Sequence, residues 1–130
     1  MKLSTTILAA LVAALASPAL GMTCEKACGS ANSSCAQSAI NKLLSGFGCL
    51  DKPNSVFLYK GGLTEGNLQN SPCRASLQTP SGEQYYMSCS KLRQQLENVR
   101  SKCIDSGSGI GQDGLADIRH YWKVSTCGNQ

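Results

Sequence analysis

Across residues 34–47 the apolar positions Ala36, Ala39, Ile40, Leu43, Leu44 and Phe47 recur at steps of three and four, with Gln37, Ser38, Asn41, Lys42 and Ser45 between them. That period predicts an amphipathic helix. Ser33 or Ser34 is placed to cap its start, and Gly46 with Gly48 offers an exit. A second stripe, Cys89, Leu92, Leu96, Val99 and Cys103, predicts another helix with both cysteines turned to the core. Arg93, Gln94, Glu97, Asn98 and Arg100 form its solvated side, and the Gly-Ser-rich residues 105–114 are expected to end it as an exposed loop.

The other segments carry a strand period. Besides a short N-terminal strand, residues 56–60 are rich in β-branched and aromatic side chains, and residues 73–78 and 84–88 flank Thr79-Pro80-Ser81-Gly82, which predicts a hairpin. Residues 116–125 alternate: Ala116, Ile118, His120, Trp122 and Val124 share one face, Asp117, Arg119, Tyr121, Lys123 and Ser125 the other. Residues 61–72 suggest a polar loop or a weakly formed edge. A half-buried sheet of this kind, with two helices to cover it, predicts an α+β fold: a small disulfide-rich α/β sandwich, an antiparallel sheet with both helices packed on one face.

The N-terminus sets the compartment. Lys2 followed by the apolar residues 7–15 is too short to span a bilayer and matches a signal peptide, with small residues Ser17, Pro18 and Ala19 before the cut. Residues 1–19 are therefore assigned to the signal peptide and 20–130 to a single domain, with cleavage after Gly21 as a second option. No later stretch reads as a membrane anchor, so the mature protein is expected to be secreted, extracellular and monomeric. All eight cysteines, Cys24, Cys28, Cys35, Cys49, Cys73, Cys89, Cys103 and Cys127, follow the cut, so four disulfides are expected.

Composition narrows the chemistry. Phosphate-binding glycine motifs are missing, aromatics make up 5% and the net charge is only +4, so neither nucleotide chemistry nor nucleic-acid binding is expected. One histidine and no C-x2-C pair leave no metal site, and no cofactor is expected. An enzyme would have to use His120 with Glu83 or Glu97 and Arg119, as in a small ribonuclease, yet His120 falls on the apolar strand face, where a packed histidine is expected instead. Trp122, Tyr59, Tyr85, Tyr86 and Tyr121 are the stacking candidates for a wall- or glycan-binding module. Asn32-Ser33-Ser34 is a glycosylation sequon just before the first helix.

Three segments carry a family resemblance. Leu20-Gly21-Met22-Thr23-Cys24, the helix from Cys89-Ser90-Lys91-Leu92-Arg93 through Leu96 and Val99 to Cys103, and Ser106-Gly107 through Gly114-Leu115 into Cys127 resemble the mature start, second helix and C-terminal hairpin of the killer protein four family. That family comprises a secreted killer toxin encoded by a smut-fungus virus and its relatives in fungal genomes. The family toxin has ten cysteines, one of them where this chain has Ile104-Asp105-Ser106, and Cys28 and Cys35 both compete for the family's second position. The resemblance implies an antiparallel sheet carrying two antiparallel helices, and it implies pairing of Cys24 with Cys103 and of Cys49 with Cys127.

The resemblance also implies an activity: arrest of competing fungi by interference with calcium uptake through voltage-gated channels. The segment holding the toxin's important loop lysine does not align here, so no functional residue transfers; Lys52 and Lys60 are the nearest basic loop candidates. The expected function is a non-enzymatic antifungal toxin or host-directed effector that recognises a target-cell surface protein, such as a voltage-gated calcium channel. Lys52, Lys60, Arg119, Tyr121 and Lys123 are the target-binding candidates, with Arg74 also on the non-core side.

Overall fold

The computed structural model describes residues 21–26, 28, 32–114 and 120–128. The signal segment 1–19, Arg119 and the strand positions 116–118 lie outside the described residues. The elements are β1 (Thr23–Glu25), α1 (Ser33–Gly46), β2 (Val56–Tyr59), β3 (Gly62–Asn67), β4 (Arg74–Thr79), β5 (Tyr85–Ser88), α2 (Cys89–Val99), a π-helical turn (Arg100–Ile104), β6 (Ile110–Gly114) and β7 (Tyr121–Ser125). They build an α+β fold with a five-stranded antiparallel sheet, β1-β6-β7-β4-β3, and a separate two-stranded ribbon, β2-β5.

Both helices follow their apolar periods. The cap of α1 is Asn32, not Ser33 or Ser34: its extended backbone stands just outside the helix and its Oδ1 accepts the Cys35 N–H at 3.0 Å. Ser88 caps α2 in the same way, accepting the Lys91 N–H at 3.2 Å. α1 lies over β3 and β4 and α2 over β7 and β6, on one face of the five-stranded sheet, and α2 also meets β5 of the ribbon. Ala39, Ile40, Leu43 and Leu44 of α1 and Leu92, Leu96 and Val99 of α2 are buried against Ala75, Leu77 and Val124 of the sheet. The wider turn after α2 keeps Cys103 and Ile104 buried on the same stripe.

Two sequence expectations change, and an alternative left open is settled. The hairpin around Pro80 does not form, because β4 is already paired on both sides, by β3 and β7, and leaves β5 no free edge; β5 pairs with β2 instead. The expected exposed loop over 105–114 is half a strand: β6 is paired to both β1 and β7, and residues 108–111 are buried. Its glycines hid it, and they are required. A Cβ on Gly111 would lie 2.6 Å from the Cys103 Cβ and 2.7 Å from the Val99 Cγ1, so only a bare backbone can pass under the end of α2. Residues 61–72 contain a true edge strand, β3.

Four disulfides use all eight cysteines: Cys24–Cys103, Cys28–Cys127, Cys35–Cys73 and Cys49–Cys89. The first agrees with the pairing the resemblance implies. The second implied pair, Cys49 with Cys127, is replaced, because Cys49 closes the end of α1 onto the start of α2 while Cys127, beyond β7, is taken by Cys28. Loops of 38 to 99 residues are closed. By loop-closure entropy each bridge is worth about 4 to 5 kcal/mol.

Candidate functional site

Two surfaces collect candidate residues, and both use the ribbon. Strand alternation splits its side chains. Phe57, Tyr59 and Met87 turn inward, where Phe57 stacks on Phe47 at a centroid distance of 4.5 Å and Tyr59 meets Phe47 edge-on at 5.6 Å. The Tyr59 hydroxyl donates to the Gly62 carbonyl at 2.8 Å and lies 3.0 Å from Thr64 Oγ1. Burial pushes its phenol above the usual value, partly offset by the Thr64 contact.

The outward face of the ribbon is apolar and open. Leu58 and Tyr86 are directly opposite across the strands, two positions from Val56, and their exposures are 41%, 81% and 61%. Lys52, in the turn before β2, and Lys60, immediately after it, are both exposed and bracket the strand. The turn at Lys52 is held by Ser55, whose N–H and hydroxyl reach the Lys52 carbonyl at 3.0 and 2.8 Å. The two lysines therefore frame an apolar strip with an aromatic at its centre.

The second surface is a cleft of about 300 Å³ between the ribbon, the ends of β4 and β7, and the start of α2. Leu77, Met87, Leu92 and Trp122 give it carbon walls, and Tyr85, His120 and Lys91 also line it. His120 is half-buried just before β7, not packed within the strand as the alternation suggested. Its ring meets Tyr85 edge-on at 5.6 Å, with Nε2 3.3 Å from the Tyr85 hydroxyl, which in turn donates to Glu83 Oε1 at 3.0 Å. The Thr79 hydroxyl and the Trp122 indole N–H, in two residues lining this cleft, are buried without a hydrogen-bond partner.

The other predicted site residues are scattered. Tyr121 and Lys123 share the outer face of the five-stranded sheet, opposite Gln78 and Ser76, and Arg74 there is ion-paired to Glu65 at 3.6 Å. Lys52 and Lys60 belong to the ribbon, so the five target-binding candidates do not form one patch, and Arg119 is outside the described residues. Glu97 is not near His120 in function: it pairs with Arg100 at 2.9 Å and accepts from Gln37, tying α2 to α1. The hydrogen bond to Glu97 raises the Arg100 guanidinium above its usual value, and Asp105 adds to it. Asn32, the sequon residue, is exposed at the start of α1 while its Oδ1 caps the helix.

Among the five aromatic stacking candidates, Tyr59 is buried, while Tyr85, Tyr86, Tyr121 and Trp122 all border the cleft. Sequence reasoning missed Met87, Leu77 and Lys91 as parts of this site. Alternation alone would have turned Met87 and Tyr85 to the same side, but the cleft depends on β4 and β7 meeting α2, and no local pattern encodes that.

Among the described residues no helix is long and apolar enough to cross a membrane, and no group of three or more His, Cys, Asp or Glu side chains is arranged to hold a metal ion. No family model matches the chain, and no curated protein matches it. A solved structure with some likeness is the tandem DUF26 ectodomain from the Arabidopsis thaliana cysteine-rich receptor-like protein PDLP5, 14% identical with a TM-score of 0.43. The match covers 84% of this chain and 44% of that one, and a likeness at this level carries no function across.

Proposed function

We propose that this chain is a secreted, non-enzymatic recognition protein of the killer protein four type, an antifungal toxin or host-directed effector whose target is a protein on another cell's surface, such as a voltage-gated calcium channel. The observation that carries this reading is the ribbon: Val56, Leu58 and Tyr86 are exposed on one face between Lys52 and Lys60. Water does not favour such a face, whereas an apolar contact with an aromatic anchor and flanking cations suits an acidic, partly apolar receptor mouth. The Cys49–Cys89 bridge joins the segments that lead into β2 and α2, so the face is preorganised and little ordering entropy is lost on binding. The antiparallel sheet with two helices and the Cys24–Cys103 bridge accord with the resemblance, whereas the Cys49–Cys89 and Cys28–Cys127 bridges depart from it.

The test exposes susceptible fungal cells and plant root cells to the oxidised mature protein, with calcium uptake recorded and excess external calcium as a rescue arm. Inhibition that calcium reverses, and that is lost in Lys52→Glu/Lys60→Glu, is the expected result. Folded protein with four disulfides that changes neither growth nor calcium uptake overturns the channel mechanism.

The cleft favours a second reading, a wall- or ligand-binding module, because Tyr85, Tyr86, Tyr121 and Trp122 meet around one cavity. A glycan array read with the same protein separates this reading from the first: retention on a wall polysaccharide with no effect on calcium uptake supports the module.

A further inference from the structure

The cleft between the ribbon and α2 has the chemistry of a site for a small molecule rather than a gap in packing. Its volume of about 300 Å³ is at the lower end of ligand pockets, with room for about ten water-sized groups. Its walls are Leu77, Met87, Leu92 and Trp122. A sugar of that size would set hydroxyl groups against these hydrocarbon walls, at a desolvation cost wherever Gln78, Ser88 or Gln95 in the lining do not meet them. An acyl or aryl body loses nothing there.

The polar groups at the cleft favour an anion. Lys91, exposed in the first turn of α2, takes part in none of the ion pairs among the described residues. The carboxylate nearest in the chain to the Tyr85 side of the cleft, Glu83, accepts the Tyr85 hydroxyl. Thr79, 4% exposed, and Trp122 each hold a buried donor with no partner, but both atoms are closed to solvent, so Lys91 is the group left to meet an anion. We propose that this cleft binds a small amphiphilic carboxylic acid, its hydrocarbon body between Leu77, Met87, Leu92 and Trp122 and its carboxylate on the Lys91 ammonium. Apart from Tyr86, which borders both, the residues that would hold the acid lie off the ribbon's outward face, so the site stands whether or not that face recognises a cell.

Trp122 is the chain's one tryptophan, so its fluorescence reports on the cleft directly. The experiment titrates the oxidised mature protein with decanoate, with decanol and with N-acetylglucosamine, following Trp122 emission and the heat of binding. Decanoate is expected to shift the emission saturably, decanol to bind about tenfold more weakly, and the sugar to do nothing. Lys91→Gln should weaken decanoate about tenfold while leaving decanol unchanged. Thr79→Val, which conserves shape, should leave the fold at least as stable as the parent and so keeps the test open if other variants misfold. Equal affinity for decanol and decanoate overturns the carboxylate assignment, and saturable binding of the sugar, or no response to either ten-carbon probe, overturns the site.

Discussion

The five-stranded sheet and the two-stranded ribbon solve the same problem differently. Each has one face on the core, but their other faces contrast. The sheet's outer face is mainly polar, with Glu65, Gln78, Lys123 and Gln112 and the Arg74–Glu65 ion pair, and it carries one large exposed apolar side chain, Leu63. The ribbon turns Val56, Leu58 and Tyr86 outward. An isolated two-stranded ribbon is marginal in water, so this one is held from its inner side by Phe47, Tyr59 and the Cys49–Cys89 bridge. The expensive face is tolerated only because the scaffold holds it, and that is the physical argument for its being a contact surface.

The strongest way to break the contrast is to cut that bridge. Cys49→Ala/Cys89→Ala removes a link across 40 residues and should cost about 4 kcal/mol in denaturant unfolding. Hydrogen exchange should show the β2 and β5 amides losing protection before those of β4 and β7, because the sheet keeps its three other bridges. Uniform loss of protection in both sheets would show that they unfold as one unit.

Tyr59 sharpens the same contrast from the inner side. Its hydroxyl bonds tie the ribbon to Gly62, at the start of β3, and it lies 3.3 Å from the Leu77 carbonyl on β4. Tyr59→Phe should therefore cost about 1 to 2 kcal/mol. The parent protein carries a pH signature that this variant loses. Because the folded phenol is raised above its ordinary value, the unfolded chain releases that proton first, so the stabilisation is complete below about pH 10 and falls as pH rises beyond it. Denaturation midpoints between pH 8 and 11 would check this, and an identical alkaline slope in Tyr59→Phe would refute it.

How much of this was legible locally follows from what sets each part. The stripes through Ile40 and Leu43 and through Leu92 and Leu96 marked both helices, since period and burial coincide there. The eight cysteines announced four bridges but not their partners, which depend on where chain segments 38 to 99 residues apart meet. β6 was hidden because Gly111 is chosen for clearance under Val99, which leaves no alternation to see. The Pro80 turn misled because turn chemistry fixes a reversal and not the pairing on either side of it, and here β4 was already flanked. The cleft was the least legible, since His120 and Tyr85 are 35 residues apart and Lys91 reaches them only through the packing of α2.

The smallest effect on stability should be the largest on recognition. Tyr86→Lys replaces a side chain that is already mostly in water, so its unfolding free energy should stay within about 0.5 kcal/mol of the parent, while Leu58→Lys, at a position 41% exposed, should cost about 1 kcal/mol. Lys123→Gln on the sheet should be as silent as Tyr86→Lys, since Lys123 makes none of the ion pairs among the described residues. In the growth and calcium-uptake assay the two faces should part: losing the Tyr86 anchor should lower potency about tenfold or more, while Lys123→Gln leaves it unchanged. The reverse result, with Lys123→Gln inactive and the ribbon variants fully potent, would move the contact surface to the polar face of the sheet. It would also make the apolar strip a liability that the bridges merely restrain.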